Sequence, residues 1–278
     1  MIPQPLVSVQ WLQDHLQDEH LVILDASMKK VGSNEPQAAD RLCIPGARPI
    51  NIKGVFSDPA SPFPNTLLSP EAFSKAAQEL GINQNSQIVV YDKLGVYSSP
   101  RVWWMFRCMG HQSVAVLDGG LPAWIKAGYA TADIKPYVGP VGNFQANFDP
   151  NRVWASADVQ ANLTDARAKV LDARSLGRFD GTAPEPRPDL RSGHIPQSHS
   201  FPYTEVLRDG HFLPREELEA IFARLNIGDE SLVFSCGSGL TACITLLACE
   251  LVRENHTAIF DGSWTEWAQP DSGFPVET

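Results

Sequence analysis

One stretch decides the fold: Ser231-Leu232-Val233-Phe234-Ser235-Cys236-Gly237-Ser238-Gly239-Leu240-Thr241-Ala242, an apolar strand that ends at a cysteine, followed by a short glycine-containing loop that opens a helix. Backbone N–H groups in such a turn can point into one concavity, and the dipole of the helix that begins near Thr241 adds positive potential. A cysteine at a helix N-terminus favours the thiolate, which is the nucleophilic form. We therefore predict that Cys236 is a reactive nucleophile rather than a small buried hydrophobe.

The same landmarks occur twice along the chain, in the same order. The paired segments are 21–26 with 169–173, 43–47 with 194–198, 88–92 with 232–236 and 116–124 with 259–267. Their spacing of roughly 150 residues is far longer than a solenoid repeat, so it indicates two similar domains. Where the second half has Cys236, the first half has Asp92. We therefore predict one chemically active loop and one silent copy.

Short β-branched runs alternate with helix-like segments in both halves. The segment 69–81 begins with a Ser-Pro-Glu helix start and ends at a glycine, and 216–225 repeats this design. Alternating strands and helices predict an α/β fold of two similar domains, each a parallel sheet flanked by helices on both faces, with function at the carboxyl ends of the strands. We expect a domain without a catalytic cysteine at 1–136, a linker at 137–151 and the catalytic domain at 152–278.

Composition excludes several classes of function. The chain has 278 residues and a formal net charge of -10, and no basic run suits a nucleic-acid partner. The N-terminus lacks the pattern of a signal peptide and no apolar segment is long enough to span a membrane, so we expect a cytoplasmic protein without a membrane partner. Its 5 cysteines form no CxxC pair and no zinc-ligand spacing, so we expect reduced thiols, no metal and no cofactor.

Five segments of the chain form a specific set of motifs. They are Cys236-Gly237-Ser238-Gly239-Leu240-Thr241, Asp261-Gly262-Ser263-Trp264, the segment 99–107, Gly177-Arg178-Phe179-Asp180-Gly181 and Pro184-Glu185-Pro186-Arg187. Together they resemble one family, the tandem-domain rhodanese-type sulfurtransferases, and within it the enzymes that use 3-mercaptopyruvate. The resemblance covers nearly the whole chain.

The resemblance implies transfer of a sulfane sulfur from 3-mercaptopyruvate through a persulfide on Cys236, with release of pyruvate. Arg178 and Arg187 match the positions that bind the donor's carboxylate, a role that suits the planar guanidinium fork. The acceptor would be cyanide or a thiol, either a small molecule or a thioredoxin-like protein. Backbone N–H groups of the loop would hold the persulfide anion. The loop residues expected to contact the substrate are Gly237, Ser238, Gly239, Leu240 and Thr241.

The chain departs from the family at one point. In related enzymes a histidine and an aspartate from the first domain are proposed to act with the serine at position 238. Here the matching positions fall on Asn65 and on Lys53 or its neighbour. No such triad carries over, so we expect Ser238 to act at most as a hydrogen-bond donor and Lys53 to add positive potential.

Bland interpretations are favoured for other reactive side chains. We expect His194 to be a structural hydrogen-bonding residue and Arg191 to be a solvated surface charge. The other four cysteines are expected to pack in the interior, as are Tyr97 and Trp104. These residues are Cys43, Cys108, Cys243 and Cys249.

Rival functions are weaker. A cysteine phosphatase needs an arginine six residues after its nucleophile, and that position is Ala242. A non-catalytic sulfur-relay or interaction module would be expected to have lost the cysteine. Because thiosulfate-selective members resemble one another in having cationic side chains after the cysteine, Gly237 and Ser238 favour 3-mercaptopyruvate. Thiosulfate as the main donor is the alternative.

Overall fold

The computed structural model describes residues 2, 4–28 and 41–278. The chain divides into two compact units. The first comprises Met1–Pro59, Leu67–Asp149 and Asp209–Phe212, and the second comprises Ala60–Thr66, Pro150–Arg208 and Leu213–Thr278. The short segment Ala60–Thr66 therefore packs with the half of the chain that contains Cys236.

Each half of the sequence forms alternating strands and helices. The elements before residue 150 are β1 Leu6–Val7, α1 Val9–His15, β2 Leu21–Asp25, β3 Leu42–Cys43, β4 Arg48–Pro49, α2 Pro70–Glu79, β5 Gln87–Tyr91, α3 Ser99–Cys108, β6 Val114–Leu117, α4 Gly120–Lys126 and β7 Ala132–Asp133. Those that follow are β8 Val153–Trp154, α5 Ser156–Asp165, β9 Ala168–Asp172, α6 Leu176–Phe179, β10 His199–Ser200, β11 Leu207–Arg208, β12 His211–Phe212, α7 Arg215–Arg224, β13 Ser231–Ser235, α8 Ala242–Val252, β14 Thr257–Phe260 and α9 Ser263–Trp267. Short 3₁₀ turns lie at Pro150–Arg152 and Tyr203–Val206.

The two main sheets repeat one topology. The first has the strand order β1-β6-β5-β2-β4, and the second, taken from the matching edge, has β8-β14-β13-β9-β10. Every neighbouring pair in both sheets is parallel. The predicted α/β fold with a duplicated parallel sheet is confirmed.

The strand that leads to Cys236 lies at the centre of its sheet. β13 pairs with β9 along its whole length, from Ser231 opposite Ala168 to Ser235 opposite Asp172, and with β14 on its other edge. Four of its five residues are buried. This follows from its nearly continuous apolar sequence, which is typical of strands covered on both faces. Cys236 is therefore delivered to the carboxyl edge of the sheet.

The predicted helices form with small shifts of their ends. Ser69 caps α2, since its hydroxyl accepts from the N–H of Ala72 at 3.3 Å, and Pro70 occupies the first helical turn. The helix buries Phe73, as the apolar spacing indicated. The helix expected at 216–225 is α7, Arg215–Arg224. Among the described residues, none of the helices has the length and apolar character needed to cross a bilayer.

The stretch expected to be a linker is ordered against the first unit over part of its length. Phe144 is fully buried and its ring meets Phe73 and Phe106 edge to face, with centroids 6.0 and 5.7 Å apart. Its N–H donates to the carbonyl of Ile82 at 3.1 Å. Residues around Phe144 thus extend the core of the first unit.

Candidate active site

Cys236 is the first residue after β13 and is 1 % exposed. The loop that follows it ends where α8 begins, with Thr241 as the N-cap residue and Ala242 as the first helical residue. Gly239 has φ +72, in the left-handed region that glycine adopts without strain. The strand–cysteine–loop–helix arrangement predicted from the sequence is therefore present.

Most of the loop's backbone donors are open. Within residues 41–278, the N–H groups of Gly237, Ser238, Leu240 and Thr241 have no hydrogen-bond acceptor in the protein. Four donors next to a buried thiol, with a helix N-terminus behind them, form a region of positive potential. The geometry can stabilise a negative charge on a sulfur attached to Cys236.

The fifth donor is used differently. The N–H of Gly239 donates to the hydroxyl of Ser263 at 3.0 Å, and the N–H of Cys236 lies 3.3 Å from the same oxygen. Ser263 in turn donates to the carbonyl of Phe260 at 2.9 Å. The expectation that the N–H of Gly239 faces a bound anion is corrected, because this donor already has an acceptor within the protein.

The carbonyl groups of the loop are held by α9. The N–H of Trp264 donates to the carbonyl of Cys236 at 2.9 Å, and the N–H of Thr265 donates to the carbonyl of Gly237 at 2.9 Å. The hydroxyl of Thr265 also donates to the carbonyl of Gly237. These contacts satisfy the negative ends of the peptide dipoles outside the loop, which keeps its interior a donor surface. The Asp261-Gly262-Ser263-Trp264 motif thus holds the loop in place through hydrogen bonds to its backbone.

Arg178 lies against the loop. A methyl group built on Gly237 would sit 3.0 Å from Nη2 of Arg178, so the guanidinium covers the Gly237 Cα directly. Arg178 comes from the short helix α6 and forms an ion pair with Glu185 through Nη2 at 2.6 Å and Nε at 3.1 Å. The structure brings together Arg178 and Gly237, both of which the sequence indicated, and a side chain at position 237 would crowd the guanidinium.

Arg187 reaches the loop through one intermediate. Its Nη1 donates to the hydroxyl of Thr265 at 3.1 Å, and that hydroxyl donates to the carbonyl of Gly237. Both predicted arginines therefore contact Gly237. Arg178, from α6, does so directly, and Arg187, from the loop that follows α6, does so through Thr265.

A buried ionic network that sequence reasoning missed fixes this arginine pair. Arg174 is 2 % exposed, donates to Asp172 at 2.7 Å and to Glu185 at 2.9 Å, and lies 4.2 Å over the ring of Trp264. Burial disfavours its charge, but the two carboxylates outweigh burial and raise the pKa of Arg174. Glu185 bridges Arg174 and Arg178, so the orientation of Arg178 depends on a core ion pair.

Ser238 has a partner from the segment Ala60–Thr66. The Nδ2 of Asn65 lies 3.1 Å from the Ser238 hydroxyl and 3.0 Å from the Ser238 carbonyl. Asn65 thus stands at the position where the resemblance would give a histidine, as the sequence indicated. Lys53 is exposed in the first unit, and its effect on the site stays a prediction.

The silent copy of the loop is filled by its own side chain. The carboxylate of Asp92 is fully buried and accepts from the N–H groups of Leu94, Tyr97, Ser98 and Ser99 at 2.8 to 3.0 Å. The hydroxyl of Ser99 adds a fifth bond at 2.7 Å. Burial raises the pKa of Asp92 while these donors oppose the rise. The loop geometry shared by the two halves therefore builds a cradle for one anion.

The structural roles expected for His194 and Arg191 have different outcomes. His194 donates from Nδ1 to the carbonyl of Phe179 at 3.0 Å, and its ring stacks on the ring of Phe179 with centroids 3.8 Å apart, so its structural role is confirmed. The expectation for Arg191 is wrong, because its guanidinium donates to the carbonyls of Trp267 and Phe274, both at 2.9 Å. Arg191 instead binds the carboxyl end of α9, where helical carbonyls lack partners.

The remaining expected core residues are buried. All five cysteines are free and buried. Burial raises the pKa of Cys249 to about 12, which suits an inert packing role. Tyr97 and Trp104 are also buried, at 6 % and 0 % exposure.

Comparison with known proteins identifies the family. A model of the rhodanese-like domain matches residues 8–127 and 155–270. Thiosulfate/3-mercaptopyruvate sulfurtransferase 1, mitochondrial, of Arabidopsis thaliana is 41% identical over 300 residues, which cover 99% of this chain and 78% of that protein. The 3-mercaptopyruvate sulfurtransferase of Escherichia coli K12 is 38% identical over 276 residues, 98% of this chain and 97% of that protein. The crystal structure of SseA from Escherichia coli matches with a TM-score of 0.84 at 35% identity, over 94% of this chain and 99% of that one.

The chain belongs to the rhodanese family, and both of its halves are rhodanese-like domains. Its relatives over nearly the whole length are sulfurtransferases, and this chain is a sulfurtransferase with a small-molecule sulfur donor and an acceptor. The resemblance stated from the motifs is thereby confirmed.

Proposed function

We propose that this protein takes the sulfane sulfur of 3-mercaptopyruvate onto Cys236, releases pyruvate and passes the sulfur to a thiol or to cyanide. The observation that carries this proposal is the set of four loop N–H groups without acceptors around the buried Cys236. In the first half of the chain the matching cradle holds the carboxylate of Asp92. In the second half, a persulfide anion would take that place.

The first half-reaction forms one bond and breaks one. The Cys236 thiolate attacks the thiol sulfur of 3-mercaptopyruvate, and its lone pair becomes the new S–S bond. The pair of the C–S bond leaves with carbon as the enolate of pyruvate, which takes up a proton to give pyruvate. The persulfide then loses its S–H proton, so the net transfer moves one proton from sulfur to carbon. The open N–H groups stabilise the terminal sulfur anion that results.

The second half-reaction restores the enzyme. An acceptor thiolate attacks the outer sulfur, a new S–S bond forms on the acceptor, and the bond to Cys236 breaks to leave the Cys236 thiolate. With cyanide, the new bond is C–S and the product is thiocyanate. Because the donor's product leaves before the acceptor reacts, ping-pong kinetics are expected.

The two arginines support 3-mercaptopyruvate as the donor. Arg178 lies beside Gly237, and in the described part of the chain its Nη1 amino group has no acceptor, so it is open to a carboxylate. Arg187 joins the loop through Thr265. A single carboxylate beside an uncharged loop fits these contacts, whereas thiosulfate, a dianion without a carboxylate, is the alternative donor. The Arabidopsis relative is named for both donors.

Mass spectrometry of the intact protein tests the reaction. Incubation with 3-mercaptopyruvate is expected to add the mass of one sulfur atom to the wild type and none to Cys236→Ser. Cys249→Ser is the matched control, because Cys249 lies near the far end of α8 and is likewise buried, and it should gain sulfur like the wild type. Absence of the added sulfur with 3-mercaptopyruvate and with thiosulfate would refute the proposal.

Arg178→Ala separates the two donors. Loss of a carboxylate contact is expected to raise KM for 3-mercaptopyruvate about tenfold, which corresponds to about 1.4 kcal/mol, with a smaller change for thiosulfate. Equal changes for both donors would contradict the role of Arg178 as the carboxylate-binding residue.

Three finer assignments belong to the same proposal. The physiological acceptor is a small thiol or a thioredoxin-like protein, and the protein acts in the cytoplasm, where reduced thiols of this kind are maintained. The domain without a catalytic cysteine spans 1–136, the connecting segment 137–151 and the catalytic domain 152–278.

A further inference from the structure

Asn65 forms hydrogen bonds with Ser238 in which the donor and the acceptor can be assigned. Asn65 has φ +63 and is 5 % exposed, and its side chain lies against the active-site loop through two hydrogen bonds. We infer that Asn65 is a positioning residue that holds Ser238 as a neutral hydrogen-bond donor toward the sulfur donor bound at Cys236. This inference rests on the proposed function and specifies how the loop treats its substrate.

The orientation of the Asn65 amide follows from its partners. A backbone carbonyl can only accept a hydrogen bond, so the amide group 3.0 Å from the Ser238 carbonyl must be the NH₂ end. The same nitrogen lies 3.1 Å from the Ser238 Oγ. The amide therefore donates to both oxygens, and the Ser238 Oγ is an acceptor in this contact.

The hydroxyl proton of Ser238 is consequently directed away from Asn65. Across the described residues, the Ser238 O–H has no acceptor in the protein, although the side chain is only 8 % exposed. A buried hydroxyl that accepts on one side and keeps its proton on the other is ready to donate to a ligand. During sulfur transfer, negative charge develops on the enolate oxygen of the donor and on sulfur, and a preorganised donor stabilises it.

Asn65 also determines what Ser238 cannot do. An amide nitrogen has no lone pair available to accept a proton, so Asn65 cannot act as a base toward the hydroxyl. Among the described residues, the ionisable side chains that contact the loop include Arg178 against Gly237, Arg187 through Thr265, and Cys243, whose thiol donates to the carbonyl of Gly239 at 3.3 Å; none of these contacts involves the Ser238 hydroxyl. Arginines stay protonated, so Ser238 remains a neutral hydroxyl throughout. Ser238 thus orients and stabilises, and proton uptake by the enolate takes place without it.

Two substitutions isolate this role. Asn65→Asp has the same shape and tolerates φ above zero, but a carboxylate cannot donate, so the hydroxyl proton of Ser238 turns toward position 65. Asn65→Gly removes the amide and keeps the backbone conformation free of strain. Asn226→Asp is the matched control, since Asn226 also has positive φ, at 48, and is exposed in the same unit.

The experiment is a double-mutant cycle between positions 65 and 238, read in the first half-reaction. With 3-mercaptopyruvate, Asn65→Asp and Ser238→Ala are each expected to lower kcat about 10- to 100-fold with KM nearly unchanged. Because Asn65 acts mainly through the Ser238 hydroxyl, most of the effect of Asn65→Asp should be absent when Ser238→Ala is already present, and only the loss of the bond to the carbonyl of residue 238 should remain. Asn226→Asp should have the wild-type kcat.

Additive losses in the double mutant would overturn the inference, as would variants at position 65 that change only KM or thermal stability. If Asn65→Asp does not fold, Asn65→Gly takes its place in the same cycle. The cycle is also run with thiosulfate. Wild type that accepts sulfur only from thiosulfate refutes the proposed donor, whereas the coupling between the two positions, measured with either donor, decides the role of Asn65 separately.

Discussion

Glu185 offers the sharpest test of how the active site is held, through the substitution Glu185→Gln. Its carboxylate accepts from Arg174 at 2.9 Å and from Arg178 at 2.6 and 3.1 Å, and its side chain is 3 % exposed. Glutamine has nearly the same shape but no charge, and its NH₂ end would face guanidinium donors. The change therefore removes charge and acceptors without removing volume.

The magnitude follows from burial. Arg174 is fully buried, and removal of one partner from a buried ion pair costs about 3–5 kcal/mol. Asp172 remains as a second partner, so the lower end of that range applies. About 3 kcal/mol corresponds to a fall of roughly 10 °C in the Tm of a unit of this size. Arg178 loses its charged partner and one of the two acceptors that aim it at Gly237, so KM for 3-mercaptopyruvate should rise about tenfold.

The assay combines thermal unfolding by tryptophan fluorescence with steady-state kinetics. Glu217→Gln is the matched control. Glu217 binds Arg208 through two hydrogen bonds of 2.6 and 3.0 Å, which are about as short as those between Glu185 and Arg178, but at an exposed site. Exposed ion pairs contribute little, so this variant should keep the wild-type Tm and KM. Equal shifts of Tm in the two variants, or an unchanged KM in Glu185→Gln, would refute the reasoning.

Three further predictions concern other positions. Gly237→Ala brings a Cβ to 3.0 Å from the Arg178 guanidinium, so KM for 3-mercaptopyruvate should rise several-fold while the Tm stays near the wild-type value; an unchanged KM would contradict this. Asp92→Ala leaves the donors of the silent loop without their acceptor and should lower the free energy of unfolding by about 4 kcal/mol in urea, and a neutral effect would disprove the cradle. Burial lowers the pKa of His111, so the unfolded chain takes up the proton first, and stability should fall as pH drops below about 6.5. His111→Gln should flatten that pH dependence, and an unchanged slope would exclude His111 as its source.

The sequence was sufficient for the fold and for the place of Cys236 at the end of a strand, because both depend on local patterns. An apolar run that ends at Cys236, followed by glycines and a helix, specifies a strand, a loop and a helix N-terminus within a dozen residues. The duplicated landmarks then specify two copies of one sheet. Signals of this kind are carried by neighbouring residues and need no knowledge of the tertiary structure.

The supports of the loop could not be predicted in the same way. Asn65 is 173 positions away from Ser238, and Ser263 is 24 positions away from the N–H that it accepts. Ser263 also has φ +49, which its residue type does not suggest. Only tertiary packing brings these groups together. The motif Asp261-Gly262-Ser263-Trp264 therefore drew attention to Ser263 but did not reveal which groups Ser263 contacts.

Because the side chain of Asp92 fills the first copy of the loop, the two copies of the loop behave differently during a single turnover. In the first copy the group that the loop surrounds is a side chain of the domain itself, so the peptide groups around it always contact the same carboxyl group. In the second copy, under the proposed reaction, the negative charge lies on the sulfur of Cys236 in the free enzyme and on the outer sulfur of the persulfide after transfer, so the loop at Cys236 alternates between an unloaded and a loaded form. One domain is thus a constant framework, and in the other, under the same proposal, the group that the loop holds changes as sulfur passes through.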